Sequence, residues 1–392
     1  MKPILPDAMR EATRLTHGGR LGEATALLQR LLGGQAQPGR ASAAPPADAR
    51  GTYSGAAIPL PAPDAAPRPS GAGTSASQPR QAAAPDPSAR RWLPKIRAKR
   101  AAPTEPLPIG AQFLDATYLG ASGRLRFKLY IPANRPDGPA PLLIMLHGCT
   151  QSPDDFAAGT RMNTLAEAHG CLVAYPAQEK SANAQKCWNW FSPADQQREM
   201  GEPALIAGIT RQVMAEHGID PRRVYVAGLS AGGAAAAILG QAYPDLYAAV
   251  GVHSGLACGA ARDMPSAFAA MRGGSGAGAA PAPGKRVVPT IVFHADRDTT
   301  VHPRNGDEVI AQSAASGALR VEATRGQVPG GRAYSRSVHL DPAGQPVLEQ
   351  WLVHGSGHAW SGGSAAGSYT DPAGPDASRE MLRFFLEQPR SR

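Results

Sequence analysis

The sequence predicts an α/β fold: a mainly parallel sheet with helices on both faces, preceded by a small helical hairpin and a disordered linker. Three observations carry that expectation. Short apolar runs that suit strands alternate with periodic helical stretches from about residue 108 onward, the pattern of strand–helix–strand units. The run "APLLIMLHG" (140–148) is continuously apolar, as a strand buried on both faces requires. Ahead of it, residues 35–107 are rich in Pro, Ala and Gly with few large apolar side chains, so that stretch has little surface to bury against the entropy of ordering.

The elements follow in order. Residues 6–34 place apolar and alanine positions at helical spacing on both sides of Gly18-Gly19, which predicts the hairpin (1–34). "AQFLDATYL" and "LRFKLYIP" read as paired strands, 140–148 as a buried strand, "MNTLAEAHG" as a helix end and "CLVAYP" as a short strand. Residues 201–220 have i, i+3, i+4 periodicity with a Gly stop. "RRVYVAG" is a strand and "GGAAAAILGQAYP" a helix that ends before Pro244. "YAAVGVHS" and "RVVPTIVFHAD" are further strands, "NGDEVIAQSAA" a helix, "PVLEQWLVHG" a strand and "SREMLRFFLEQ" the last helix. The expected domains are therefore 1–34, 35–107 and 108–392.

The chain of 392 residues carries a net charge of +9. All of that excess lies in residues 1–100, with 15 Lys+Arg against 6 Asp+Glu, and the remainder balances at 25 of each. The basic pI thus describes the N-terminal region, densest at "RRWLPKIRAKR" (90–100). That run suits an anionic surface or a polymer rather than specific nucleic-acid recognition, and a solvated linker end is the plainer reading. No stretch is apolar and long enough to span a membrane. The N-terminus lacks the apolar core of a secretory signal. Four cysteines with no C-x-x-C pair speak against a zinc site or a disulfide scaffold.

The chemistry centres on "VYVAGLSAGGAAAA" (224–237). Gly228-Leu229-Ser230-Ala231-Gly232 is G-x-S-x-G between a strand and a helix, the setting in which the motif lifts a serine hydroxyl clear of a sheet. A serine needs a histidine base and an acid partner, met in the chain order Ser, Asp, His. "TIVFHADRDTTVHP" (290–303) and "WLVHGSGHAWSGG" (351–363) supply them just past strand ends. Asp298 and His358 are the choices, with Asp296, His302 and His354 as competitors. "LHGCTQ" (146–151) follows the buried strand. Its turn at His147-Gly148 can present an amide near Cys149, and Ala231 the second, to an oxyanion.

"PLLIMLHGCTQSPDDFAAGTRMNTLAEAHGCLVAYP", "CWNWF", "RRVYVAGLSAGGAAAAILGQAYPDLYAAVGVHSG", "VFHADRDTTVHPRNGDEV" and "GSGHAW" together resemble the poly(3-hydroxyalkanoate) depolymerase esterases, α/β-hydrolases related to feruloyl and acetylxylan esterases. The resemblance covers roughly 108–388. It implies an α/β-hydrolase fold, Ser230 as nucleophile, Asp298 as acid, His358 as base and Cys149 at the oxyanion position. The substrate it implies is a polyester or its oligomers, with feruloyl or acetyl esters as the alternative, a peptidase third, and no metal or cofactor. It also places "QKCWNWF" (185–191) by the cleft, so Trp188 and Trp190, with His147, become substrate-facing candidates. Cys149 and Cys187 would meet there and could form a disulfide. An extracellular location is implied by the resemblance and a cytoplasmic one by the missing signal. A reading of another class is a binding protein tethered to a polymer or surface by its basic N-terminal region.

Overall fold

The computed structural model describes residues 107–275, 288–314 and 319–390. The expected hairpin and almost all of the linker lie outside the described residues. A ten-stranded sheet runs in the order β1-β2-β4-β3-β5-β6-β7-β10-β9-β8. Its six central strands are parallel: β4 (Leu172–Ala177), β3 (Ala140–Leu146), β5 (Ile219–Leu229), β6 (Ala249–His253), β7 (Thr290–Ala295) and β10 (Pro346–Val353). Antiparallel strands close both sides, β1 (Gln112–Gly120) and β2 (Gly123–Ile131) on one, β9 (Ala333–Leu340) and β8 (Arg320–Gln327) on the other.

The central strands are apolar throughout because both faces are covered. Leu142, Ile144 and Leu146 of β3 enter one core with Val224 and Val226 of β5, while Leu143 and Met145 enter the other with Tyr225 and Ala227. The first core is roofed by α3 (Gly201–His217), α4 (Ala231–Ala242), α5 (Met264–Gly273) and α6 (Arg304–Ala314). The second is roofed by α1 (Pro153–Thr160), α2 (Met162–His169) and α7 (Ala377–Leu386).

Local chemistry sets the ends of these helices. Ser152 caps α1 by accepting from the Asp155 amide, with Pro153 in the first turn. Asp263 and Ser266 form a reciprocal capping box on α5. Asp376 caps α7 through the Arg379 amide. Helix α3 stops at Gly218 in the left-handed region. Helix α4 can lie close on the sheet because its buried face is alanine and glycine; a Cβ at Gly240 would come within 2.7 Å of Val250.

All six parallel strands point the same way. Their carboxyl ends therefore bring the segments after Leu146, Leu229, His253, Ala295 and Val353 to one edge, where open α/β sheets hold their sites.

Candidate active site

Ser230 sits at the sharp turn between β5 and α4, with φ 58° and ψ −119°. A non-glycine residue in that region is strained, and such strain persists only where the surroundings enforce it. Close packing is the enforcement here. A Cβ on Gly232 would stand 2.1 Å from the Leu146 carbonyl, and one on Gly228 2.3 Å from the Gly232 carbonyl. The Ser230 amide donates to the His253 carbonyl at 2.8 Å. The serine is 8% exposed, at the rim of the sheet edge.

Asp298 lies in the loop after β7. One carboxylate oxygen accepts from the Thr300 and Val301 amides at 2.9 and 2.8 Å. The other faces His358 Nδ1 at 2.6 Å. His294 Nε2 stands 3.5 Å away and makes its shorter contact, 2.8 Å, to the Val301 carbonyl. Burial alone would raise the Asp298 carboxyl. The His294 and His358 imidazoles and the Val301 amide outweigh it, and the group is held far below the ordinary carboxylate range. An ionised Asp298 can only accept, so Nδ1 of His358 carries the proton and Nε2 keeps its lone pair for proton transfer.

The competitors have other partners. Asp296 accepts from His354 Nδ1 at 3.0 Å and from the Gly355 amide at 2.7 Å, which joins the ends of β7 and β10. His354 Nε2 meets Ser335 Oγ at 2.9 Å. His302 Nδ1 accepts from the Arg304 amide at 3.2 Å.

His253 was not singled out by the sequence. It is wholly buried at the end of β6, stacked on Phe293 and Trp360. Its Nε2 accepts from the Ser361 amide at 2.9 Å. Burial, then the neighbouring imidazoles, pushes its pKa well below the ordinary value, so the ring is neutral. It links the Ser230 turn, through its own carbonyl, to the loop that carries His358. A lone histidine at a strand end offers no motif by which sequence reading would find that role.

The turn after β3 lies at the same sheet edge. Gln151 Oε1 takes the Gly148 amide at 2.9 Å, and Thr150 donates its amide to Gln185 at 2.6 Å. Among the described residues no acceptor engages the amides of Cys149 or Ala231. Cys149 is joined to Cys187 by a disulfide, so this turn is tied to the 185–191 segment.

Three expected substrate contacts are buried in the structure. His147 is 1% exposed: Nδ1 meets the Gly148 carbonyl at 2.7 Å and Nε2 accepts from the Gln178 amide at 3.2 Å. Desolvation brings its pKa down to about 4. Trp188 is 0% exposed, its indole donating to the His147 carbonyl at 3.1 Å. Trp190 is 6% exposed, with Phe191 edge-on to it. Trp188 and Trp190 belong to the first core, with Phe191 packed against it. Beneath them Glu202 accepts from the Asn189 amide and side chain, both at 2.7 Å, and from Gln178. Burial, with Asp195 nearby, raises Glu202 to about 7.

Comparison with known proteins gives a consistent picture. A poly(3-hydroxyalkanoate) depolymerase C of Paucimonas lemoignei is 32% identical over 251 residues, covering 60% of this chain and 58% of that protein. A feruloyl esterase B of Thermothelomyces thermophilus is 30% identical over 171 residues, 41% of this chain and 57% of that protein. The chain thus spans rather more than half the length of these curated relatives. An acetyl xylan esterase from Aspergillus awamori superposes with a TM-score of 0.55 at 19% identity, over 70% of this chain and 99% of that one; the likeness is one of fold, the α/β-hydrolase fold. Residues 125–329, more than half of the chain, match the family model described as Esterase PHB depolymerase, a stretch that holds Ser230 and Asp298 while His358 lies beyond it. The chain belongs to the Esterase PHB depolymerase family.

Proposed function

We propose that the protein is a serine hydrolase of carboxylic esters, with Ser230 as nucleophile, His358 as base and Asp298 as its orienting acid. The observation that carries the reading is the 2.6 Å Asp298–His358 contact at the same sheet edge as a serine on a strained turn. Ser230 Oγ attacks the ester carbonyl while its proton passes to His358 Nε2. The negative oxygen of the tetrahedral intermediate is met by the Cys149 and Ala231 amides. Its collapse expels the alcohol, which takes the proton from His358. Water then attacks the acyl-serine by the same proton route, releasing the acid and restoring the serine.

Poly(3-hydroxyalkanoate) or its oligomers is the first substrate reading, supported by family membership and by the depolymerase among the relatives. Feruloyl or acetylxylan esters form the second, supported by relatives bearing those names. The Cys149–Cys187 disulfide favours an oxidising, extracellular setting. The basic excess in residues 1–100 favours contact of that region with an anionic or polymer surface.

The test is a panel of 3-hydroxybutyrate oligomers, methyl ferulate, acetylated xylan and p-nitrophenyl esters. The reading expects cleavage of the oligomers with the highest kcat/KM. A protein that cleaves ferulate or acetylxylan better moves to the second reading, and one that cleaves no ester loses both.

A further inference from the structure

Asp298 is gripped by more groups than a triad needs, and one of them has no part in the proposed mechanism. His294, the fifth residue of β7, is wholly buried. It shares a strand face with Val292, the face that α6 covers. The chain after β7 folds back over this ring. The Asp298 amide donates to the Ala295 carbonyl at 3.3 Å, and the Val301 carbonyl comes to 2.8 Å from His294 Nε2. Asp298 Oδ2, the oxygen that meets His358 Nδ1 at 2.6 Å, stands 3.5 Å from the same Nε2.

The geometry fixes which nitrogen carries the proton. A carbonyl oxygen only accepts, so Nε2 of His294 is the N–H that reaches Val301. Val301 returns its own amide to Asp298 Oδ1 at 2.8 Å, and Thr300 adds a second amide at 2.9 Å. The turn 298–301 is thereby tied twice. Its amides bind the carboxylate from within, and its last carbonyl is bound from the strand beneath.

Nδ1 of His294 tells against a role in packing alone. Among the described residues it has no hydrogen-bond partner. A buried polar atom left unpaired is a cost that a leucine would not carry. The helix above also makes room for the ring, since a Cβ on Gly306 of α6 would stand 3.0 Å from Nδ1. What the imidazole offers and an apolar side chain does not is one N–H at the reach of Nε2, aimed at the turn that carries Asp298.

We propose that His294 is the positioning residue of the catalytic acid: its Nε2–H holds the Val301 carbonyl, and the turn so fixed keeps the Asp298 carboxylate at hydrogen-bond distance from His358. The inference rests on the esterase reading of Ser230, Asp298 and His358. His294 acts through Asp298 and touches neither the substrate nor the reacting atoms, so its effect falls on kcat and not on KM. It falls also on the Asp298–His358 bond itself. The Nδ1 proton of His358, in a short bond to an ionised oxygen, resonates far downfield in the proton NMR spectrum and reports that bond directly.

The experiment uses the full chain and the variants His294→Leu, His294→Gln, His294→Asn and Ser230→Ala, with p-nitrophenyl butyrate as substrate. Rates are taken per active site, titrated to completion with a serine-directed phosphonate, so that misfolded protein does not count. His294→Leu should lower kcat by about tenfold or more, as a small misplacement of a catalytic group does. It should leave KM within about threefold of wild type, too small a change to count as a lost substrate contact, and lose the downfield proton. Gln carries its amide nitrogen to the reach of Nε2, so His294→Gln should recover most of kcat and the proton. Asn carries it only as far as Nδ1, so His294→Asn should resemble His294→Leu. A His294→Leu variant with kcat within about threefold of wild type overturns the role. So does a His294→Gln variant as slow as His294→Leu, or a fall in kcat that leaves the proton in place, since either makes His294 a packing residue. If His294→Leu does not fold, the other two decide: a faster His294→Gln supports the role, and equal kcat in His294→Gln and His294→Asn overturns it. These outcomes leave the esterase reading intact. Full activity in Ser230→Ala overturns that reading, and the role of His294 with it.

Discussion

Two carboxylates follow the same strand, two residues apart, and their partners separate them. Asp298 holds His358, whereas Asp296 holds His354 and the Gly355 amide. Asp298→Asn is expected to lower kcat on p-nitrophenyl butyrate by on the order of 10³–10⁴-fold, because the amide favours the wrong imidazole tautomer. Asp296→Asn should cost far less; a larger loss there would exchange the roles. His147 gives a second expectation. Its folded pKa of about 4 lies below the ordinary 6.5. A buried neutral base of this kind stabilises the fold fully above pH 6.5 and loses that contribution as pH falls toward 4. The full swing is on the order of 3 kcal/mol. Urea midpoints of wild type and His147→Gln should therefore converge as pH falls from 6.5 to 4. Parallel curves would show that His147 titrates normally. At this scale Ser230, Asp298 and His358 stand out in the sequence because each follows a strand within a short motif, and the structure brings Asp298 and His358 into contact. The resemblance sets the 185–191 segment, with Trp188, Trp190 and His147, by the cleft, and the structure buries all three side chains. The indole bond to the His147 carbonyl and the carboxylate of Glu202 beneath Asn189 pull that loop inward, and neither contact leaves a local pattern.

The elements read from the sequence include the paired strands β1 and β2 and the strands buried on both sides. Strands β3 to β7 and β10 are apolar runs because helices cover them, and α3 and α4 carry their own stop signals. The hairpin of β8 and β9 was not legible: "RVEATRGQ" is exposed along almost its whole length, so no alternation of apolar and polar residues marks it as a strand. Helices α1 and α5 are short, eight and ten residues, and give few turns over which a period can show. The disulfide between the β3 turn and the 185–191 segment is an element-scale device. It closes a separation of 38 residues, for which chain entropy gives about 4 kcal/mol. The double variant Cys149→Ser/Cys187→Ser should lose a large part of that in urea denaturation. Its kcat should fall further than that of a surface variant of equal stability, since the Cys149 amide loses its tether. Unchanged kcat would remove the turn from oxyanion stabilisation.

Across the whole molecule the charge divides sharply. Residues 1–100 carry the entire excess of +9, and the rest of the chain is balanced. A chain beginning near residue 104 should fold and hydrolyse a p-nitrophenyl ester at the wild-type rate. Its adsorption to polyester particles or anionic vesicles should be weaker, by a margin that shrinks as salt rises and screens the basic residues. Precipitation or lost small-ester activity would instead give the N-terminal region a structural part in the catalytic unit. The organisation of the molecule otherwise converges on one edge of one sheet, and a single acylation step at Ser230 is the claim on which every other one depends. The most direct measurement is peptide mapping by mass spectrometry after acid quench of the protein mixed with p-nitrophenyl butyrate. The expected result is one butyryl group on the peptide containing Ser230, absent in Ser230→Ala together with turnover. A butyryl group on another residue, or turnover that persists in Ser230→Ala, would contradict it.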